Sequence, residues 1–430
     1  MYYKLVGEEK GFLLESVDAH QKFGRFSFIG AEPFINLQIY KNRLMIQEEE
    51  LMKALDGSPV ETMNQYMQKF RAVLGNQQLP LANGGAVGYF NYEASAVFDR
   101  VRGTHIAEEE NPDEIYARVE QRMEALAAQL YQPVCTGNHA VPPRQDKLDF
   151  MAQYGEMPEE WAKTIAKCKA YINAGDIFQV VPSRQFRTRL TKPAFHFYRR
   201  LRQINPSPYM FYLNFGKKKF VAASPEMLVK VSGSYVYTYP IAGTRRRGKN
   251  EAEDAALEAE LKQDVKECAE HSMLVDLARN DIGRISEAGS VEVTKLQQVE
   301  RFSHVMHMVS EVRGKLQEGY TPMDVLKACF PAGTVSGAPK LRAMEIIHEL
   351  EPVKRGPYAG TVGYMDFDGN MDMCITLRTM FIDGDIGHIQ SGAGIVYDSQ
   401  AEFEYKEILQ KSKAMFTVVE EVENDVVAFR

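Results

Sequence analysis

The stretch from residue 264 to residue 283 carries carboxylates at a spacing that could bind a cation. Asp264, Glu267 and Glu270 lie three residues apart, so a helix would stack them along one face. Leu274 belongs to a second set of positions, at helical spacing, that should face a core. Three like charges in a row are costly unless a cation lies among them. On this segment alone, a solvated acidic face is an equally good interpretation.

A second acidic segment near the C-terminus could complete a metal site. Glu404 and Glu407 share a predicted helical face with Lys411. Two helices that each carry a Glu-x-x-Glu step can bring four oxygen ligands around one divalent cation, and such ligands suit Mg²⁺. No His/Cys cluster with zinc spacing competes. Each pair by itself is more often a solvated surface, so the prediction of a Mg²⁺ site depends on the two pairs together.

Three glycine-rich stretches could bind an anion, namely Pro240–Arg245, Gly333–Lys340 and Ser391–Gly394. Glycine lets a backbone N–H approach a ligand closely, and the N-terminus of a helix adds a favourable dipole. GTVSGAPK is not a phosphate-binding P-loop, because only three residues separate its glycines and no Lys-Ser/Thr follows. Any one of the three stretches is more simply a turn.

Two further side chains lie in apolar surroundings where they need partners. Arg378 is part of the run CITLRTMF, which predicts a strand, so its guanidinium requires an internal acid or a ligand carboxylate. His307 lies in RFSHVMHMV, and a histidine in that setting is more often a satisfied core residue. Spacing reveals no Ser/His/Asp or Cys/His nucleophile.

The composition restricts the class of protein. A chain of 430 residues with 45% hydrophobic and 25% charged residues is ordinary for a soluble globular protein of two or three domains. The net charge of −7 argues against a general nucleic-acid binder. Five cysteines without a CxxC pair predict free thiols in a reducing cytoplasm. No secretion signal and no run of about 18 apolar residues is present, so no membrane association is expected.

The elements that must position the candidate residues are of both kinds. Besides the acidic stretch, helices are predicted over 159–174, 194–203 and 401–419. FQVVPSRQF predicts one strand, and two Asp-Gly turns around MDMCITLRTMFI predict an antiparallel meander. We therefore predict an α+β fold with large antiparallel β-sheets. Because the pattern fades before residue 159, we divide the chain into a region 1–140, a linker 141–158 and a region 159–430.

The order of five motifs resembles the chorismate-utilising enzymes. These motifs are PIAGTR, DVKECAEHSMLVDLARND, GTVSGAPK, QSGAGIV and EYKEILQK. Within that family, the chain is most similar to the aminases that form anthranilate. The resemblance implies antiparallel sheets packed face to face with helices on the outside, and a chorismate-binding catalytic region over 159–430.

The resemblance also implies roles for individual residues. Glu270 and Glu407 would bind Mg²⁺, with Glu267 and Glu404 as neighbours in the metal and substrate shell. His307 would be the active-site histidine, which leaves His271 a structural role. The implied chorismate contacts are Gly243, Thr244, Thr334, Tyr358, Arg378, Gly392, Ala393, Gly394 and Lys411.

The reaction implied by the resemblance is amination of chorismate by ammonia, followed by elimination of pyruvate. Glu226 matches the position that protonates the leaving hydroxyl, which requires a raised pKa. Gln179 stands where relatives that add water carry a lysine base. Ammonia is already a neutral nucleophile and needs no such base, so a glutamine fits amination.

A partner and a regulator follow from the same resemblance. The chain has no glutaminase motif, and Cys135 is a poor match to a nucleophile elbow, so a separate glutamine amidotransferase subunit should supply ammonia in a hetero-oligomer. The first region would carry a tryptophan feedback site. The residues implied for that site are Glu15, Ser16, Ser27, Asn205, Pro206, Ser207, Pro208, Tyr209 and Met210.

Two other functions stay open from the sequence. The enzymes that make aminodeoxychorismate on the folate route share nearly every motif. Ala242 lacks the lysine nucleophile of one branch of that group, but other members of the group also have alanine. A non-catalytic, metal-dependent carboxylate-binding protein is an alternative of a different class.

Overall fold

The computed structural model describes nearly all of the chain after residue 145 and separate parts of the region before it. The described residues are 2, 6–7, 9–16, 27–31, 33, 35–40, 43–48, 51–67, 85–94, 146–301 and 305–425. Within them, the strands are β1 Gly11–Glu15, β2 Ser27–Ala31, β3 Ile35–Tyr40, β4 Arg43–Glu48, β5 Leu51–Asp56, β6 Gly85–Phe90, β7 Gln179–Val180, β8 Ser183–Arg189, β9 Tyr209–Phe215, β10 Lys218–Ser224, β11 Met227–Ser232, β12 Tyr235–Thr238, β13 Ile241–Arg246, β14 Glu292–Arg301, β15 Val305–Lys315, β16 Gly337–Ala338, β17 Thr361–Asp366, β18 Met371–Ile375, β19 Thr379–Asp383 and β20 Ile386–Gly392. The helices are α1 Pro59–Met67, α2 Phe150–Tyr154, α3 Glu159–Asn173, α4 Ala194–Ile204, α5 Glu251–Gln263, α6 Val265–Gly283, α7 Pro322–Cys329, α8 Lys340–Leu350 and α9 Ala401–Glu423.

Two large antiparallel sheets form the centre of the molecule. The first has the order β2-β1-β9-β10-β19-β20-β8, and the second has the order β13-β15-β12-β11-β18-β17-β6, with β14 paired to β15. Phe211 and Phe220 of the first sheet share a buried cluster with Val362 and Cys374 of the second. The two sheets therefore pack face to face, which confirms the predicted fold class.

Helices cover the outer faces of both sheets. The strand β9, YMFYLNF, is almost continuously apolar because one face meets the second sheet and the other lies under α4. The helix α9 packs on α3, α4 and β20, and α6 packs on β13 and β15. Of the helices in the described residues, none has both the length and the apolar character needed to cross a membrane.

Two runs that predict single strands are each divided between two sheets. MDMCITLRTMFI forms β18 in the second sheet and β19 in the first, and the chain crosses between the sheets at residues 376–378. Arg378 has φ +45° there, a left-handed conformation that ends a strand. The prediction that Arg378 lies within a strand was wrong. FQVVPSRQF likewise divides into β7, which pairs with β16, and β8, which pairs with β20.

The described part of the predicted linker is fixed to the last helix. It contains α2, where the side chain of Asp149 caps the helix by accepting a hydrogen bond from Ala152 N. Leu148 N donates to Asn424 Oδ1 at 2.9 Å. The domain boundaries stay a prediction, and strands from both predicted regions share the two large sheets.

Candidate active site

One arginine neutralises most of the acidic face at the start of α6. Asp264 caps the helix by accepting hydrogen bonds from two backbone amides of the first turn. Arg245, at the end of PIAGTR, forms ion pairs with Asp264 at 2.7 Å, with Glu267 at 3.1 Å and with Glu260 at 3.0 Å. The cation that the stacked carboxylates require is therefore supplied in large part by the protein itself, and Glu270 has a different partner.

That partner is Gln179. The Gln179 side chain is buried, and its Nε2 donates to Glu270 Oε1 at 3.0 Å. A Cβ atom added to Gly394 would lie 2.8 Å from the same Nε2, so the SGAG stretch approaches this amide as closely as glycine allows. The structure thus brings together one predicted catalytic residue, one predicted metal ligand and one predicted substrate contact.

The acids of α9 are close enough to repel one another. Burial raises the pKa of Glu404, and the carboxylate of Glu407 raises it further. Lys411 forms an ion pair with Glu407 at 2.6 Å. Lys266 of α6 lowers the pKa of Glu404, which puts this acid within electrostatic range of α6.

The donor set fits Mg²⁺ only as a site with few protein ligands. Among the described residues, no three His, Cys, Asp or Glu side chains stand close enough together to hold a metal ion. Glu267 and Glu407 are paired with Arg245 and Lys411 instead. Mg²⁺ is commonly bound by one or two carboxylates and keeps several waters, so hard oxygen donors from Glu270 and α9 suit it chemically.

Glu226, between β10 and β11, is a carboxyl group that can hold a proton near neutral pH. Burial raises its pKa to about 7, although a hydrogen bond from Thr334 and the charges of Lys411 and Arg378 act in the opposite direction. Thr334 Oγ1 donates to Glu226 Oε1 at 2.8 Å. Both residues border a cavity of about 50 Å³. This is the protonation behaviour that a general acid requires.

His307 lies on β15, opposite Thr244 of β13. Its Nδ1 is 2.9 Å from Thr244 Oγ1. Burial lowers the pKa of His307 to about 4, the charge of Arg378 lowers it too, and a hydrogen bond to the Gly243 backbone acts the other way. The imidazole is therefore neutral at pH 7. Arg378 thus acts electrostatically on both His307 and Glu226.

The remaining predicted substrate contacts gather at the end of β20. Lys411 Nζ donates to the carbonyl of Gly392 at 3.1 Å. A Cβ atom on Gly392 would lie 2.7 Å from the Tyr358 hydroxyl. Ala393 is fully buried, and its N–H donates to Pro182 O at 3.2 Å. The SGAG backbone therefore lies between Lys411, Tyr358 and the amide of Gln179.

The chain matches known proteins over nearly its whole length. Residues 10–417 match the family described as chorismate binding enzyme. The chain is 42% identical to anthranilate synthase component 1 of Acetivibrio thermocellus over 95% of this chain and 90% of that protein. It is 40% identical to anthranilate synthase component 1 of Pseudomonas aeruginosa over 99% of this chain and 93% of that protein. The chain belongs to the anthranilate synthase component 1 family of chorismate binding enzymes.

A solved structure supports the same assignment. Anthranilate synthase component I from Streptococcus pneumoniae superposes with a TM-score of 0.74 at 34% identity, covering 94% of this chain and 92% of that one. The resemblance inferred from five motifs is thereby confirmed.

This member of the chorismate binding enzymes has a second, larger cavity between its two sheets. The cavity has a volume of about 230 Å³. Its lining includes five of the predicted feedback residues, Glu15, Ser16, Pro208, Tyr209 and Met210. The pairing of β1 with β2 and β9 places Glu15 opposite both Ser27 and Met210, and Ser27 Oγ donates to Glu15 Oε1 at 3.2 Å.

Two buried polar atoms at this end of the sheet have no partner in the part of the chain that the structure describes. Ser16 Oγ and Asn205 Nδ2 are buried and have no hydrogen-bond partner among the described residues. Such atoms are rare in folded proteins and indicate a bound water or ligand. Asn205, Pro206 and Ser207 connect α4 to β9, and the cavity lining includes none of them.

The two cavities share a wall. Met227 and Tyr239 line both of them, and Met227 directly follows Glu226. A molecule in the larger cavity would therefore contact a residue adjacent to the candidate acid.

Several functional contacts of this chorismate binding enzyme were missed by sequence reasoning. The role of Arg245 could have been suspected, because PIAGTR carries a cation and the acidic helix requires one. The buried pair Glu351–Arg355 gave no signal, since an acid four residues before an arginine is common on exposed helices. His271 is buried, and its Nε2 forms a hydrogen bond of 2.6 Å with Ser310 Oγ, a contact between α6 and β15 that the sequence did not indicate.

The cysteines are free thiols where the structure describes them. Cys168, Cys268, Cys329 and Cys374 form no disulfide, which confirms the prediction for these four. Cys135 lies outside the described residues.

Proposed function

We propose that this chain catalyses the Mg²⁺-dependent amination of chorismate by ammonia, followed by elimination of pyruvate, to give anthranilate. This reaction is the first step of tryptophan biosynthesis. The names of its relatives support the proposal. The observation that carries it is Glu226, whose pKa is raised to about 7 by burial while Thr334, Arg378 and Lys411 surround it.

Substrate binding uses the cations and amides around Glu226. Chorismate carries two carboxylates and one hydroxyl group, and Arg378 and Lys411 provide two cations for them. The positive φ of Gly243 and the glycines of SGAG allow backbone groups to approach the ring closely. Thr334, Thr244 and Tyr358 add hydroxyl groups.

Amination requires a proton for the leaving group. Ammonia attacks the ring with its lone pair while the bond from the ring to the C4 hydroxyl breaks, and hydroxide is a poor leaving group unless it is protonated. The carboxyl of Glu226 donates that proton, so water leaves. The amide of Gln179 cannot act as a base. Ammonia needs none, because it is already a neutral nucleophile.

His307 acts in the second half of the reaction. The elimination removes a ring proton, breaks the bond from the ring to the enolpyruvyl oxygen and makes the ring aromatic. The enolpyruvate takes up a proton and leaves as pyruvate. Because its pKa is lowered to about 4, His307 is neutral and can accept or relay the ring proton, with Thr244 fixing the ring.

Mg²⁺ would be held by Glu270 and Glu407, with Glu267 and Glu404 beside them. When bound, the ion would neutralise a substrate carboxylate and fix its position. Gln179 orients Glu270 through the hydrogen bond described above.

The deciding experiment incubates the purified chain with chorismate, Mg²⁺ and ammonium and follows anthranilate fluorescence. Anthranilate and pyruvate in equal amounts are expected. Consumption of chorismate without anthranilate would point to aminodeoxychorismate instead. Binding without consumption would indicate a carboxylate-binding protein, and either result would overturn the proposal.

We also propose a regulator, a partner and a location. Tryptophan would occupy the cavity lined by Glu15, Ser16 and Met210. Its amino or carboxylate group would bind the Ser16 hydroxyl, which has no partner among the described residues. A glutamine amidotransferase subunit would supply ammonia within a hetero-oligomer. The free thiols are consistent with a cytoplasmic location.

A further inference from the structure

A buried ion pair, Glu351–Arg355, lies behind the proposed chorismate pocket and takes no part in the proposed reaction steps. Arg355 is 3% exposed, and its guanidinium donates to Glu351 through Nε at 3.0 Å and through Nη2 at 2.7 Å. Removing two charges from water costs about as much as their attraction returns, so a buried pair is weak evidence for stability. The other contacts of Arg355 indicate a different role for the pair.

The remaining donors of Arg355 reach two separate segments of the pocket. Nη1 donates to Val335 O at 2.7 Å, and Nη2 donates to Val181 O. Val335 directly follows Thr334, which holds Glu226. Val181 lies two residues after Gln179. One planar guanidinium therefore sets the distance between the segments that carry these two residues.

The same guanidinium lies over the faces of two aromatic rings. Arg355 lies 5.4 Å from the ring centroid of Tyr358 and 4.6 Å from that of Tyr92. Contacts of this kind attract a cation to the ring. The Tyr358 hydroxyl in turn lies against Gly392, so Arg355 also supports the SGAG side of the pocket.

The acid of the pair extends the network further along the Val181 segment and, through Ser183, to β20. Glu351 Oε1 accepts hydrogen bonds from Ser183 N at 2.8 Å and from Ser183 Oγ at 2.7 Å. Gln390, just before SGAG on β20, donates to Ser183 Oγ at 2.8 Å. Each contact is directional, so a shift of the guanidinium would disturb several walls together.

We propose that Arg355 is a positioning residue that holds the Thr334, Gln179 and Tyr358 walls of the chorismate pocket in register. The inference rests on the proposed function and assigns a further residue to it. Arg355 touches no substrate and acts through the residues that do.

The test compares Arg355→Lys with the wild-type chain. Lysine keeps a cation beside Glu351 but lacks the fork that reaches both carbonyls. We expect kcat/KM for chorismate to fall on the order of 10- to 100-fold, mainly through KM, in a protein with unchanged circular dichroism. Arg200→Lys is the matched control, because Arg200 pairs with Glu421 between α4 and α9, and its kinetics should not change.

A double-mutant cycle separates positioning from a general structural effect. If Arg355 acts through the Thr334 segment, Thr334→Val should cost less kcat/KM in the Arg355→Lys background than in the wild type. Equal costs in both backgrounds, or an Arg355→Lys variant within threefold of the wild type, would overturn the inference. Should Arg355→Lys fail to fold, Tyr92→Leu removes one ring face and should raise KM several-fold, and an unchanged KM would count against positioning.

A measurement of chorismate affinity tests the role of Arg355 independently of anthranilate formation. Calorimetric titration with chorismate and Mg²⁺, without ammonia, should show weaker binding to Arg355→Lys than to the wild type. If the wild type binds chorismate but makes no anthranilate, the proposed function fails while the affinity ratio still decides the role of Arg355. If the wild type does not bind chorismate, both proposals are refuted.

Discussion

Glu226 is the residue whose chemistry depends most on its surroundings. An exposed glutamate would be ionised at neutral pH and could not protonate a leaving hydroxyl. Burial raises the pKa of Glu226 to about 7, while Thr334, Lys411 and Arg378 keep it from rising further. The cations that we propose as substrate ligands therefore also lower the proton affinity of the acid.

We expect Glu226→Gln to lower kcat/KM for chorismate by roughly 10²- to 10⁴-fold, because an amide cannot transfer the proton. In the wild type, kcat/KM should fall as the pH rises through about 7, since the acid form is lost. Thr334→Val removes a hydrogen bond that lowers the pKa, so its falling limb should lie at higher pH. Rates are measured at constant free ammonia.

The matched control for this pair of variants is Glu318→Gln, at an exposed acid in the turn after β15. Its profile should superimpose on that of the wild type. A Glu226→Gln variant that retains wild-type activity would remove Glu226 from the mechanism.

Gln179→Lys should depress anthranilate formation with ammonium as the donor. The new ammonium would replace the amide that donates to Glu270 and would neutralise a proposed metal ligand, so half-saturation by Mg²⁺ should need a higher concentration. Both quantities come from steady-state rates at varied Mg²⁺. Gln317→Lys adds the same charge at an exposed position and should change neither, whereas wild-type rates in Gln179→Lys would contradict the assignment.

At the scale of elements, α6 shows how a fold changes the meaning of a sequence pattern. Asp264 caps the helix from just outside it, and Glu267 and Glu270 follow at three-residue steps. β13 packs on the helix and brings Arg245, which pairs with Asp264 and Glu267. Glu270 instead accepts a hydrogen bond from a neutral partner, Gln179.

The proposed feedback cavity lies beside the paired strands β1 and β9. Ser16, which follows β1, and Met210 of β9 line it. We expect Ser16→Ala to raise the tryptophan concentration for half-inhibition roughly tenfold, because a hydrogen bond to a charged group contributes about 1.5–3 kcal/mol. Catalysis and thermal stability should not fall, since the Ser16 hydroxyl has no partner among the described residues. Inhibition curves measure the effect of tryptophan, rates without tryptophan measure catalysis, and melting temperatures measure stability.

The control for this variant is Ser232→Ala, at the exposed last residue of β11. It should leave inhibition unchanged. Unaltered inhibition in Ser16→Ala would remove Ser16 from the tryptophan site.

At the scale of the whole molecule, the proposed catalysis and the proposed feedback belong to two different cavities. The larger cavity lies between the sheets, and the pocket around Glu226 lies where the chain crosses from β10 to β11 and from β18 to β19. Met227 and Tyr239 border both cavities. Under the proposed regulation, a molecule in the larger cavity would act on Glu226 through this shared wall.

The pure chain should form anthranilate with ammonium and should not use glutamine. Its motifs account for chorismate and ammonia alone, and hydrolysis of glutamine needs an activated nucleophile, whereas the thiols of Cys168, Cys329 and Cys374 are buried with raised pKa values. Anthranilate is measured with each nitrogen donor, with and without an added glutamine amidotransferase subunit. Glutamine-dependent synthesis by the pure chain would refute the predicted partner.

The sequence alone determined the family, the α+β class and the identity of the candidate residues. Each motif and each helical spacing is read from a short stretch of chain. Glu270, Glu407, Gly392 and Lys411 could therefore be named from residues close to them in the chain. The start of α6 was predictable for the same reason, since Asp264 caps it through its own first turn.

Tertiary structure decided what those residues can do. Arg355 donates to Val181 and Val335, and Glu270 accepts from Gln179. These partners lie far away in the chain, and no spacing rule connects them. The pKa values of Glu226 and His307 depend on burial, which exists only once the sheets and helices have packed. The break at Arg378 had the same cause, because the run around it is apolar throughout and only the pairing of β18 and β19 in different sheets places the crossing there.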